Sequence, residues 1–207
     1  MNKKLAAALS GGAVLVLTLS GCSSDDNSDK VNDWAKTVCD KVQPQLQKIA
    51  NANAAIQQQT ADNSKPADVQ RTDSAAFQQI SQAYKALGAA VDSAGAPPVD
   101  GGETTQKEAV KELNASSAAY ANLEKKVDAL DTKDQAKFAD GLKGIADELN
   151  KISNGGDKAL TKLQSGEVAT AMAKQKGCQK PTASVAPNTA SPKPGSPSPS
   201  ASPSKKS

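Results

Sequence analysis

The chain has 207 residues, with 25 basic and 22 acidic side chains, three cysteines and no histidine. The missing imidazole excludes Ser-His and Cys-His nucleophile systems, histidine zinc sites and the commonest general base. Five aromatic residues (Trp34, Phe77, Tyr84, Tyr120 and Phe138) are sparse for a β-sandwich or a carbohydrate-stacking platform, whereas alanine, glutamine, lysine and leucine favour helices.

The chain opens with positive charge at Lys3 and Lys4, followed by an apolar run from Leu5 to Leu19. A membrane-spanning helix needs about 20 apolar residues, so this run is short, and the arrangement fits a secretory signal. The run ends Leu19-Ser20-Gly21-Cys22. Small residues at 20 and 21 let an extended backbone enter a peptidase, and Cys22 offers a thiol. These four residues resemble the bacterial lipobox. The resemblance implies a diacylglyceryl thioether on Cys22 and cleavage between Gly21 and Cys22, which removes residues 1–21. The alternatives are an ordinary signal peptide with a chance cysteine and an uncleaved anchor. A single acyl chain holds a protein only marginally, whereas two hold it well.

Residues 22–30 are expected to form a polar tether, and 31–179 a helical domain. The first helix should start near Ser28 or Asp29. Val31, Trp34, Val38, Val42, Leu46 and Ile49 recur at three- and four-residue steps, one apolar stripe. Pro44 predicts a kink or a split near Gln43, and the helix should fade through Asn51 to Asp62. Ser64-Lys65-Pro66 starts a second helix, with Phe77, Ile80, Tyr84, Leu87 and Val91 on its stripe, closed by Gly95-Ala96-Pro97-Pro98. Thr105 and Glu108 have capping-box spacing and should open a third helix. There Leu113, Tyr120 and Val127 share one heptad position, and Ser116, Leu123 and Leu130 another. Thr132 and Gln135 offer a second box before a fourth helix carrying Phe138, Leu142, Ile145, Leu149 and Ile152. Asn154-Gly155-Gly156 should end or bend it. A last helical stretch holds Leu160, Leu163, Val168 and Met172, with Ser165-Gly166 as a weak point, and stops at Gly177-Cys178. The expected fold is all-α: an antiparallel bundle of four to five helices.

Residues 180–207 hold seven of the eleven prolines and almost nothing apolar. Such a Ser/Pro-rich tail cannot offset its ordering entropy and is expected to be disordered. Two lysines fall in the signal and four in this tail, leaving 19 basic against 22 acidic residues in between. The domain is therefore mildly acidic, and nothing points to nucleic acid.

If lipid occupies Cys22, Cys39 and Cys178 remain. Outside the cytoplasm two such residues are expected to pair; buried free thiols and intermolecular pairing are the rival readings. A bridge would staple the first helix to the end of the last. A redox role would want a closer pair, such as Cys-x-x-Cys.

No catalytic set, metal site or cofactor motif emerges. Asp25, Asp26, Asp29 and Asp33 lack EF-hand spacing and suit a solvated spacer. Gly101-Gly102 and Gly155-Gly156 lack the lysine and strand of a phosphate loop and fit helix stops. Glu108, Glu112, Asp128, Asp140, Asp147 and Glu148 are interleaved with lysines, as on solvated helix faces. A carboxylate pair for glycoside hydrolysis stays open at the level of sequence.

The lipobox, the segment Asp33-Trp34-Ala35-Lys36-Thr37-Val38-Cys39, the late Gly177-Cys178, the alanine-rich body and the Ser/Pro tail together resemble small secreted lipoproteins of actinobacteria, of the Streptomyces type. That resemblance implies lipid anchoring on the outer face of the cytoplasmic membrane and implies no activity. In a two-membrane bacterium the same signal, with Ser23 next, would also allow the outer membrane. The expected role is a non-catalytic interaction module that meets another envelope protein. The alternative is a carrier with a small-ligand pocket between the helices.

Overall fold

The computed structural model describes residues 23–61, 64–155, 161 and 163–179. The signal at 1–21, Cys22 and the tail at 180–207 lie outside the described residues. Among those described, the chain forms α1 (Ser23–Ala61), α2 (Pro66–Ala94), α3 (Gly102–Asp128), α4 (Gln135–Gly155), α5 (Gly166–Lys174) and a 3₁₀ turn at Lys176–Cys178, with no strand. The protein is an all-α helical bundle.

The first helix is longer than its sequence suggests. It begins at Ser23, so the stretch expected as a tether is already helical. Its docked part supplies the reason. Val31, Trp34, Ala35 and Val38 are buried and hold a helix in place, and extending an existing helix avoids repeating the nucleation cost. Asn27 to Lys30 stay exposed, so this segment is helical without being core. Pro44 does not split α1, which runs through it. Pro44 and Asp40 are both exposed, so the carbonyl that loses its amide partner lies on the solvent side. Nor does the helix fade after Asn51: Ala52 is buried, and Ile49 and Ile56 pack against the core.

Helix α2 matches its expected limits. Pro66 presets the first turn behind an extended Lys65, and Gly95 closes the helix at φ +75°. Helix α3 starts earlier than the Thr105–Glu108 box. Its N-cap is Gly101 at φ +73°, with no side-chain cap. The turn before it explains the shift. Val99 N–H bonds the Pro97 carbonyl at 2.8 Å and Gly102 N–H bonds the Val99 carbonyl at 3.0 Å. A side chain at Gly102 would run into the Pro97 carbonyl, so the glycine pair is what lets the chain enter α3 here. Helix α4 is capped by Asp134 rather than Thr132. The Asp134 carboxylate accepts from the N–H groups of Ala136 and Lys137, both at 3.1 Å. The backbone and side chain of Lys137 hold that carboxyl below its ordinary range. Ser165-Gly166 proves to be a beginning: α5 starts at Gly166.

Side-chain bonds fix the directions. Trp34 Nε1 donates to the Gly95 carbonyl at 2.9 Å, so the first half of α1 lies beside the end of α2. Gln70, near the start of α2, donates to the carbonyls of Val127 (2.9 Å), Asp128 (3.2 Å) and Leu130 (2.9 Å) at the end of α3. Helices α1, α2 and α3 thus alternate in direction. Lys126 pairs with Glu148, and Gly141 abuts Leu130, which sets α4 against the second half of α3. Helix α5 runs parallel to α1: its start lies by Asn27, and the turn after it reaches Cys39.

Two core clusters stack along the bundle. One joins Val31 to Cys39, Leu87, Val91, Ala109 and Leu113 to the buried side of α5. The other joins Ala52, Phe77, Ile80, Leu123 and Val127 to Ile145 of α4. Tyr84 packs against both. It stacks on Tyr120 with ring centroids 5.5 Å apart and planes inclined by 12°. Helix α5 therefore completes one half of the core and α4 the other.

Candidate functional site

Cys39 and Cys178 form a disulfide, with Cα atoms 4.9 Å apart and a separation of 139 positions in sequence. Cys39 is fully buried on α1. A side chain at Gly177 would run into the Cys39 carbonyl, so glycine permits the turn to approach α1 closely enough for the bridge. The bond pins the end of α5 to α1. Cys22 and Gly21, expected as the lipidation and cleavage site, lie outside the described residues.

Two concavities gather at one end, where α1 begins, α2 gives way to α3 and α5 begins. One groove of about 750 Å³ runs between α1 and α5, with Asn27, Asn32, Glu167, Thr170 and Lys174 on its walls. A second, also of about 750 Å³, lies between the same starts and the Pro97-Pro98-Val99 turn, with Lys30, Asp100 and Glu167 among its charges. Asn27, Gly166 and Glu167 border both. Each groove thus carries a cation and an anion. They were not legible from the chain, because each is built by segments distant in sequence.

A third groove of about 550 Å³ separates α3 from α4, lined by Lys125, Lys126, Lys151 and Glu148, with Ala119 and Ile152 beneath. Glu148 already pairs with Lys126.

Asp73 is the buried charged residue among those described, 7% exposed. Its Oδ1 has no hydrogen-bond partner, and burial pushes its carboxyl up to about 6. A signal for it existed: Asp73 falls one turn after Val69 and one turn before Phe77, on the stripe that faces the core. It borders none of these three grooves. Asp29, Asp33, Glu108, Asp128, Asp140 and Asp147 are exposed. Among the described residues no three His, Cys, Asp or Glu side chains converge to hold a metal ion. No described helix is long and apolar enough to cross a membrane. Trp34 packs in the core, 7% exposed.

Compared with family models, with curated proteins and with solved structures, the chain matches none.

Proposed function

We propose that this chain is an exported bacterial lipoprotein, cleaved between Gly21 and Cys22 and held by lipid on Cys22 at the extracytoplasmic face of the cell membrane. Its bundle serves there as a non-catalytic interaction module. The observation that carries the reading is Leu19-Ser20-Gly21-Cys22 at the close of a short apolar run behind Lys3 and Lys4. The cysteine count supports it. The chain has three cysteines, and the bridge takes Cys39 and Cys178, which leaves the thiol of Cys22 for the lipid. The grooves support surface contact over a carrier. Small-molecule pockets bury most of the ligand, whereas these grooves are open and mix charged and amide side chains with Val31, Pro98 and Val99 along their borders.

The test is mass spectrometry of the mature N-terminal peptide from cells fed a palmitate analogue. The expected product begins at Cys22 and carries diacylglyceryl mass, and Cys22→Ala abolishes both labelling and processing. A mature terminus elsewhere, or an unmodified Cys22, overturns the anchoring. Cross-linking in intact cells tests the module: a reproducible envelope protein is expected, and recovery of none counts against that role.

A further inference from the structure

We propose that the end of the bundle formed by the first turns of α1, the Pro97-Pro98-Val99 turn and the start of α5 rests against the membrane surface, and that its two grooves receive zwitterionic phospholipid headgroups. The proposal rests on lipidation of Cys22 and adds to it an orientation, a contact surface and a lipid chemistry.

Chain geometry carries the orientation. Helix α1 begins at Ser23, the residue directly after Cys22, and consecutive Cα atoms stand about 3.8 Å apart. No linker therefore separates the anchor from the bundle. At about 1.5 Å per residue, Asn27 lies roughly 6 Å and Lys30 roughly 10 Å along the helix from Ser23. The headgroup layer on one side of a bilayer is about 5–8 Å deep. Asn27 borders both grooves together with Gly166 and Glu167, so with α1 upright, anchoring at Cys22 brings the mouths of both grooves to headgroup level, with Lys30 just above it. The opposite end of the bundle, at Asp131 to Lys133, lies about 40 Å away along α3.

The helix surface argues for contact by the end and against lying flat. A helix that lies in the interface presents an apolar face flanked by basic residues. The exposed positions of α1 include Asp29, Asp33, Lys36, Asp40, Lys48 and Gln57, a mixed and polar set. At the end itself Pro98 and Val99 are half-exposed and give the rim an apolar lip.

Charge selects the headgroup. Lys174 and Glu167 border the first groove; Lys30, Asp100 and Glu167 border the second. A phosphate suits the lysines and the asparagine amide, and an ammonium suits the carboxylates. A headgroup with both, as in phosphatidylethanolamine, matches each groove. A purely anionic headgroup would satisfy the lysines and leave the carboxylates facing like charge.

The experiment uses the full-length, processed protein in vesicles of phosphatidylethanolamine and phosphatidylglycerol, with a benzophenone side chain at Asn27 or Val99 and a control at Lys133. The lipid on Cys22 is weighed in the same sample. The expected result is a phosphatidylethanolamine adduct at positions 27 and 99, at least fivefold above position 133. Glu167→Lys should lower it severalfold with the Cys22 lipid intact. Equal yields at 27, 99 and 133 on lipidated protein overturn the orientation and leave the anchoring standing. Adducts to phosphatidylglycerol alone, or to a protein, overturn the headgroup assignment. An unmodified Cys22 overturns both readings.

Discussion

At the scale of single residues, Asp73 is the position where sequence and packing conflict. A carboxylate occupies a core-facing position of α2 with one oxygen unpaired. Burial disfavours its charged form and pushes its titration to about 6, against an ordinary 3.8. Between those values the folded chain binds the proton more tightly than the unfolded chain. Stability should therefore fall as pH rises through this window, and the penalty is fully present above it. With solvent screening allowed for, the loss is about 1–2 kcal/mol. Asp73→Asn keeps the shape and removes the charge. It should stabilise the fold by about 1 kcal/mol at pH 7 and flatten the difference between pH 4 and pH 7. Urea unfolding at both pH values checks this. Parallel changes in wild type and variant would mean that the carboxylate is not the source.

At the scale of elements, boundaries were legible where one residue type has a single local meaning. Pro66 can begin a helix but not sit within it cheaply, and Gly95 takes a left-handed φ that other residues avoid. The starts of α3 and α4 were not legible from capping-box spacing. Thr105 and Glu108 recur at that spacing inside a helix, and the true start depends on how Pro97 turns against Gly102. For α4 the choice between Thr132 and Asp134 is made by the loop, where Asp131 accepts from the Lys133 N–H at 2.9 Å and leaves Asp134 at the helix entrance. Pro44 shows the opposite case: a strong local breaker overridden by the packing on both sides of it. Its ring is exposed, so Pro44→Ala should restore the bond to the Asp40 carbonyl without disturbing the core. A gain of about 1–3 kcal/mol is expected, read as a raised thermal midpoint. A loss would show instead that the ring of Pro44 contributes to the packing of α1.

At the scale of the whole molecule, the bundle class followed from helical periodicity, and the pairing of Cys39 with Cys178 from cysteine arithmetic. The two grooves beside Asn27 did not follow from either, because one needs α1 to meet α5 and the other needs both to meet the α2–α3 turn. The same tertiary fact gives the disulfide its effect. Helix α5 has nine residues, too few to persist alone in water, yet it completes the core cluster around Val38 and Leu113. The bridge holds the turn after it against α1. Closing a loop of 139 positions restricts the unfolded chain by up to about 5 kcal/mol. Replacing both cysteines, Cys39→Ser with Cys178→Ser, should therefore destabilise the protein by roughly 3–5 kcal/mol. The loss should not be uniform. Amides of residues 166–178 should lose exchange protection first, while α2 and α3, which bury Phe77, Ile80 and Leu123 against one another, keep theirs until global unfolding. Hydrogen exchange resolved by segment separates the two. Equal loss across all helices would make the bridge a purely global constraint, and no loss at 166–178 would remove its role in holding α5 and the groove walls beside α1.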